Sequence, residues 1–100
     1  MIQHMVMFNL KHRENSLQEK IFFVQLQNLT LIPTVNTLNI SRQFSQLNPY
    51  QYAVSMMFDS QKSYHNYLKN EQHEHFVKSY WLPEVAEFLE VDLMPFSIEN

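Results

Sequence analysis

Apolar and polar positions alternate along residues 2–10, IQHMVMFNL, which predicts a β-strand. Ile2, His4, Val6, Phe8 and Leu10 fall on one face, and Gln3, Met5, Met7 and Asn9 on the other. Both faces carry large apolar groups, so this strand should be covered on both sides. The polar run KHREN, residues 11–15, forms a loop. Ser16-Leu17-Gln18-Glu19 has the spacing of a capping box, in which the serine hydroxyl accepts from the Glu19 N–H and the glutamate reaches back. A helix is expected from there to Asn28 or Leu29, with Phe22, Leu26 and Leu29 along one line. Ile21, Val24 and Phe23 make its apolar stripe broader than one core-facing surface needs. Pro33 closes the segment by holding Ile32 extended.

Residues 37–44, TLNISRQF, alternate again, with Leu38, Ile40 and Phe44 facing one way and Arg42 among them. A turn follows at Asn48-Pro49. Residues 50–58, YQYAVSMMF, give the clearest alternation: Tyr50, Tyr52, Val54, Met56 and Phe58 against Gln51, Ala53, Ser55 and Met57. Asp59 or Ser60 can cap a helix over 61–69, and a further helix is expected over about 72–80. Pro83 suits the first turn of a short helix, 83–88. The last strand is expected over 89–98, with Leu89, Val91 and Leu93 in phase and Pro95 marking an edge or bulge.

The order β-α-β-β-α-β predicts an α+β fold of the ferredoxin-like kind: a four-stranded antiparallel sheet with helices on one face. Met5, Met7, Ala53 and Met57 then lie on the face without helices. Apolar surface of that extent seeks a partner, and the simplest closure is a two-fold homodimer, sheet against sheet.

Composition narrows the chemistry. The chain has 100 residues and a mass of 12.1 kDa, which fits one domain over 1–100. It has no Cys, which excludes disulfides, thiol redox chemistry and thiolate-held metals. It also has no Gly, which argues against P-loop, Rossmann and nucleophile-elbow sites and leaves any left-handed turn position to Asn or Asp. A formal charge of −3 gives no footprint for nucleic acid or an anionic membrane. No apolar run approaches a membrane span and the N-terminus lacks the pattern of a signal peptide, so a soluble cytoplasmic protein is expected.

Four segments, in this order, carry a resemblance. The opening IQHMVMFNL is a hydrophobic strand with His4 at its second inward position. ISRQFS comes in the middle, then Tyr67-Leu-Lys-Asn-Glu-Gln-His73-Glu-His75-Phe76, and EVDL closes the chain. Together they resemble the stress-responsive α/β-barrel (Dabb, dimeric α/β-barrel) family over nearly the whole chain. The sequence departs from the family pattern in having Ser41 where Gly is usual before Arg42, and Asn70-Glu71 where His-Pro is frequent. The resemblance implies ferredoxin-like protomers that dimerise through their sheets into a barrel. Most members have no established activity. One plant member closes a linear polyketide into a ring by aldol condensation, and its acid/base positions match His4, Tyr67 and His73. Related dimeric barrels include heme-degrading and quinol-oxidising monooxygenases.

His4 reads in two ways: a core histidine satisfied by one hydrogen bond, or a base on an apolar wall. Tyr67 and His73 are six apart, and a helix break around Asn70–Gln72 would turn both toward one cavity. The ligand expected is a small apolar or carbonyl-containing molecule, and with an enolisable carbonyl one imidazole could remove the α-proton while Tyr67 donates to the developing enolate. Otherwise Tyr67 and Phe76 are packing and His73 a solvated cap. The carboxylates of Glu71 and Glu74 should favour the His73 cation. His73 and His75, two apart on a helix, cannot share a metal ion, and no metal or cofactor is expected. The functions in view are therefore a cyclase, lyase or isomerase using His4, Tyr67 and His73; a non-catalytic ligand-binding or stress-associated dimer; and a monooxygenase of the related barrels.

Overall fold

A computed structural model describes residues 1–98. The alternating opening forms β1 (Ile2–Leu10), one of the two inner strands of the sheet. The sheet has four strands in the order β2-β3-β1-β4, with β2 at Thr37–Arg42, β3 at Tyr52–Phe58 and β4 at Val85–Leu93. Every pairing is antiparallel. Helix α1 (Leu17–Gln27) runs into a 3-10 turn at Asn28–Leu31. Helices α2 (Gln61–Leu68) and α3 (Glu71–Phe76) come after β3, then a π-helical turn at Val77–Trp81 and the short α4 (Leu82–Glu84). Among the described residues no helix is long and apolar enough to cross a membrane.

The register fixes which side chains form rows across the helix-covered face. Leu38, Met56, His4 and Asp92 make one row, Ile40, Val54, Val6 and Glu90 the next, and Arg42, Tyr52, Phe8 and Phe88 the third. Phe22, Leu26 and Leu29 lie over them, as their helical spacing predicts, and Phe8, Phe22 and Phe58 are completely buried. Ile21 and Val24 stay exposed, so the broad apolar stripe of α1 is only partly used. The opposite sheet face carries Met5, Met7, Ala53 and Met57, half-buried, with no helix over them.

The C-terminal third departs from the alternation read in the sequence. The last strand begins at Val85, where the short helix 83–88 was expected, and ends at Leu93, so Pro95 lies beyond it. Its length is set by pairing with β1, from Leu10 opposite Val85 to Gln3 opposite Leu93. A strand can be templated by its neighbour against a weak local pattern. Leu89, Val91 and Leu93 point to the bare face, and Phe88, Glu90 and Asp92 to the helix side. Strand β2 stops at Arg42, and Phe44, expected to face inward, is 93% exposed. Beyond Phe76 the expected α-helix gives way to the π turn.

The capping box forms with a shifted second arm. Ser16 Oγ accepts the Glu19 N–H at 3.1 Å, while Glu19 Oε1 accepts the Asn15 N–H at 2.9 Å. Asn15 has φ 63°, the left-handed position that a chain without Gly must give to Asn or Asp. The other Glu19 oxygen accepts the hydroxyl of Tyr52, so this buried carboxylate ties the start of α1 to β3. The Tyr52 hydrogen bond holds Glu19 below the usual carboxylate value, against the opposing effect of burial. Burial, and then Glu19, push Tyr52 up to about 12.

Because the folded state lowers the Glu19 pKa, its contribution is complete above the unfolded value of 4.5 and is lost as pH falls through the folded value. Glu19→Gln should cost roughly 1.5–3 kcal/mol at neutral pH, the range for a hydrogen bond to a charged group. In urea denaturation the gap between native protein and Glu19→Gln should narrow as the solution is acidified. A gap independent of pH would mean that the carboxylate charge contributes nothing.

Candidate active site

His4 is 5% exposed, in the first half of β1. Its Nδ1–H donates to Asp92 Oδ1 at 2.5 Å, across the pair that β4 makes with β1. Tyr64 on α2 donates its hydroxyl to Asp92 Oδ2 at 3.1 Å, and its oxygen lies 3.2 Å from His4 Nδ1. The carboxylate therefore fixes the ring orientation and puts the proton on Nδ1, which leaves Nε2 as the basic atom. Nε2 has no protein partner among the described residues, yet it is not a sealed, unsatisfied atom. It belongs to a ring on the wall of a cavity of about 280 Å³ between sheet and helices.

Tyr67 and His73 line the same cavity, so the three residues singled out in the sequence meet there. The predicted break makes this so. Helix α2 ends at Leu68, and Asn70 caps α3 by accepting the Gln72 N–H at 2.8 Å. The Tyr67 ring lies 6.4 Å from that of His4 and 4.4 Å from that of His73. Tyr67 is thus the middle member, 2% exposed, and no protein partner meets its hydroxyl among the described residues. Burial raises its pKa well above the usual phenol value, so the group stays a donor.

His73 Nδ1–H donates to the Leu68 carbonyl at 3.3 Å, leaving Nε2 open. Glu71 and Glu74 do not carry its titration as the sequence suggested. Burial is the largest influence and lowers its pKa, outweighing the backbone hydrogen bond and the small effect of Glu74. His73 is therefore a neutral imidazole at neutral pH. The rest of the wall is mostly apolar, with Leu26, Met56, Phe76 and Val77 among its members. Trp81, in the π turn, closes one side and packs on Phe8 at 5.0 Å and Phe88 at 5.6 Å. His12, in the loop after β1, pairs with Glu84 at 2.7 Å. Among the described residues no cluster of three or more His, Asp or Glu could hold a metal ion.

Asp92, Tyr64 and Glu90 belong to the site and do not stand out in the sequence. Asp92 and Glu90 become inward-facing only through the register of β4 on β1. One signal is present: if Leu89, Val91 and Leu93 share the face of Met5 and Met7, the carboxylates between them must point the other way.

The model of the stress-responsive A/B barrel domain (Dabb) matches residues 2–95. The chain belongs to the Dabb family. It is similar to a Dabb family protein with a ferredoxin-like fold from Mesorhizobium loti, with 39% identity, a TM-score of 0.94, and coverage of 96% of this chain and 97% of that one. The hydroxynitrile lyase from Passiflora edulis shares the fold at 14% identity and a TM-score of 0.84, over 99% of this chain and 96% of that one. So does a dimeric ferredoxin-like protein from Thermobifida fusca, at 18% identity and a TM-score of 0.75, over 92% of this chain and 88% of that one. No curated protein matches. As a Dabb domain the chain has its ferredoxin-like fold in common with these structures, while its pocket is defined by its own side chains.

The tautomer of His4 is the testable core of this geometry. Ring ¹⁵N shifts of the neutral imidazole should show Nδ1 protonated and Nε2 bare. Asp92→Asn lets an amide N–H face Nδ1 and should move the proton to Nε2, the effect of the same substitution in hydrolase triads. An unchanged tautomer in Asp92→Asn would show that Asp92 does not set it.

Proposed function

We propose that this Dabb protein is a small-molecule enzyme of the cyclase, lyase or isomerase type, acting on a carbonyl compound through its enolate. One observation carries the reading: His4 Nε2 and the Tyr67 hydroxyl, both on buried side chains, are unpartnered among the described residues on the wall of one apolar cavity. Neither atom is sealed from the cavity, so a carbonyl compound entering it meets one acceptor and one donor. In the step envisaged, His4 Nε2 takes the α-proton and the C–H electron pair becomes the enolate double bond. The carbonyl oxygen gains the charge and accepts the hydrogen bond of Tyr67. Asp92 stabilises the imidazolium that forms. His73, neutral beside Tyr67, is the second proton carrier. From the enolate, attack on a second carbonyl closes a ring, loss of a β-substituent is a lyase reaction, and reprotonation elsewhere is an isomerisation. The fold shared with a hydroxynitrile lyase is compatible with this class.

The catalytic reading is favoured over a non-catalytic dimer because aromatic side chains do not fill the cavity. Its test is exchange of the methyl protons of acetophenone for deuterium in D2O, followed by ¹H NMR. Native protein should accelerate exchange. His4→Ala should reduce the acceleration about 10²–10⁴-fold, the usual worth of a positioned base, and Tyr67→Phe about 10²–10³-fold, as for an oxyanion donor. Exchange no faster than in buffer, or equal in all three proteins, would sink the reading.

The same reading includes a homodimer formed by the bare sheet faces, giving a barrel. Met5, Met7, Ala53 and Met57 support it, together with Leu89 and Leu93, about half exposed at 49% and 47%. A fold neighbour described as dimeric points the same way. Burial of about 1,600 Å² in total is expected for a standard interface. Met5→Glu with Met57→Glu should shift sedimentation toward monomer or aggregate, and a native protein that sediments as a stable monomer would exclude this interface.

A further inference from the structure

The cavity wall carries one charged group that the enolate chemistry does not use. Glu90 lies on β4 between Phe88 and Asp92, opposite Val6. Same-face neighbours on a strand are about 6.5–7 Å apart, so its carboxylate stands one small ligand away from the row of His4 and Asp92. Unlike Glu19, Glu84 and Asp92, Glu90 has no hydrogen-bond or ion-pair partner among the described residues. No Lys or Arg lines the cavity. His4 is committed to Asp92, and burial keeps His73 neutral, so no fixed positive charge answers Glu90 from within. Its field does reach the site, since it contributes to raising the Tyr64 pKa, after burial and Asp92.

We propose that Glu90 sets the substrate class of this site, which selects carbonyl compounds carrying an ammonium group at the end remote from the carbonyl and turns away carboxylates. The proposal rests on the carbonyl-binding reading of His4 and Tyr67. At one end, the apolar wall and the two unpartnered polar groups take the carbonyl and the body of the ligand. At the other, an ammonium can donate a charge-assisted hydrogen bond to Glu90, an exposed residue at the edge of the cavity. A carboxylate there would face Glu90 with no Lys or Arg on the cavity wall to offset it, and like charges at short range are repelled.

Three ketones of one skeleton test this: para-(aminomethyl)acetophenone, para-(hydroxymethyl)acetophenone and para-acetylbenzoate, titrated at neutral pH and low salt and followed by protein NMR. Native protein should bind the ammonium ketone at least about ten-fold more tightly than the carboxylate, a difference of about 1.4 kcal/mol. Glu90→Gln should bring the two within about three-fold, and Glu90→Lys should reverse their order. Equal binding of all three by native protein, or a preference that survives in Glu90→Gln, overturns the role of Glu90 and leaves the carbonyl chemistry standing. If none of the three binds, the carbonyl-site reading falls, and this proposal with it. In Tyr67→Phe the preference for the ammonium ketone should persist although proton exchange is lost. Loss of the preference there would place the selection at the carbonyl end and refute the proposal.

Discussion

A buried imidazole has two nitrogens to satisfy, and an apolar sheet face offers neither. His4 solves half of this problem with Asp92, and much of the architecture depends on that pairing. It requires β4 to lie beside β1 in one register, since a slip by one residue would turn Asp92 to the other face. It places Tyr64 over the carboxylate, which otherwise would keep one oxygen without a protein donor. The half left unsolved is Nε2, on a ring in the cavity wall. Register and side-chain placement around this row thus meet at one polar residue in the core.

Glu19 is the buried carboxylate of the described residues, and it is fully used. Its oxygens are taken by Asn15 and Tyr52, and it joins a helix start to a strand 33 residues away. Buried Glu19 and buried His4 differ in whether protein partners complete their hydrogen bonding. Glu19 is a structural tie with nothing left to offer, while the Asp92–His4 pair ends in an open nitrogen.

Where information is local, the residues disclose the structure. The alternation of 2–10 gives β1, Ser16 and Glu19 give the start of α1, and the break before Glu71 brings Tyr67 and His73 together. The His4, Tyr67 and His73 set came from resemblance to the Dabb pattern, and the geometry unites it in one cavity. What the residues hide is non-local. Val85–Phe88 reads as helix because Pro83 and the charges around it suit a helical turn, but β1 imposes extended pairing. Asp92 and Tyr64 reach His4 across 88 and 60 residues of chain, and no local spacing reports such a meeting. The titration of His73 escapes a sequence reading for a related reason. Its acidic neighbours along the chain matter less than the apolar wall that folding builds around it.

The π turn at Val77–Trp81 carries a different kind of consequence. A π turn is a helical turn with one residue more than an α turn holds. Deleting a single residue there would close it to α-helix and rotate the chain beyond it by about 100° relative to α3. Trp81 would leave the cluster formed with Phe8 and Phe88, and that side of the cavity would be remade while the sheet stayed as it is. In this fold the volume of the pocket is therefore open to revision by insertion and deletion, a coarser inheritance than substitution.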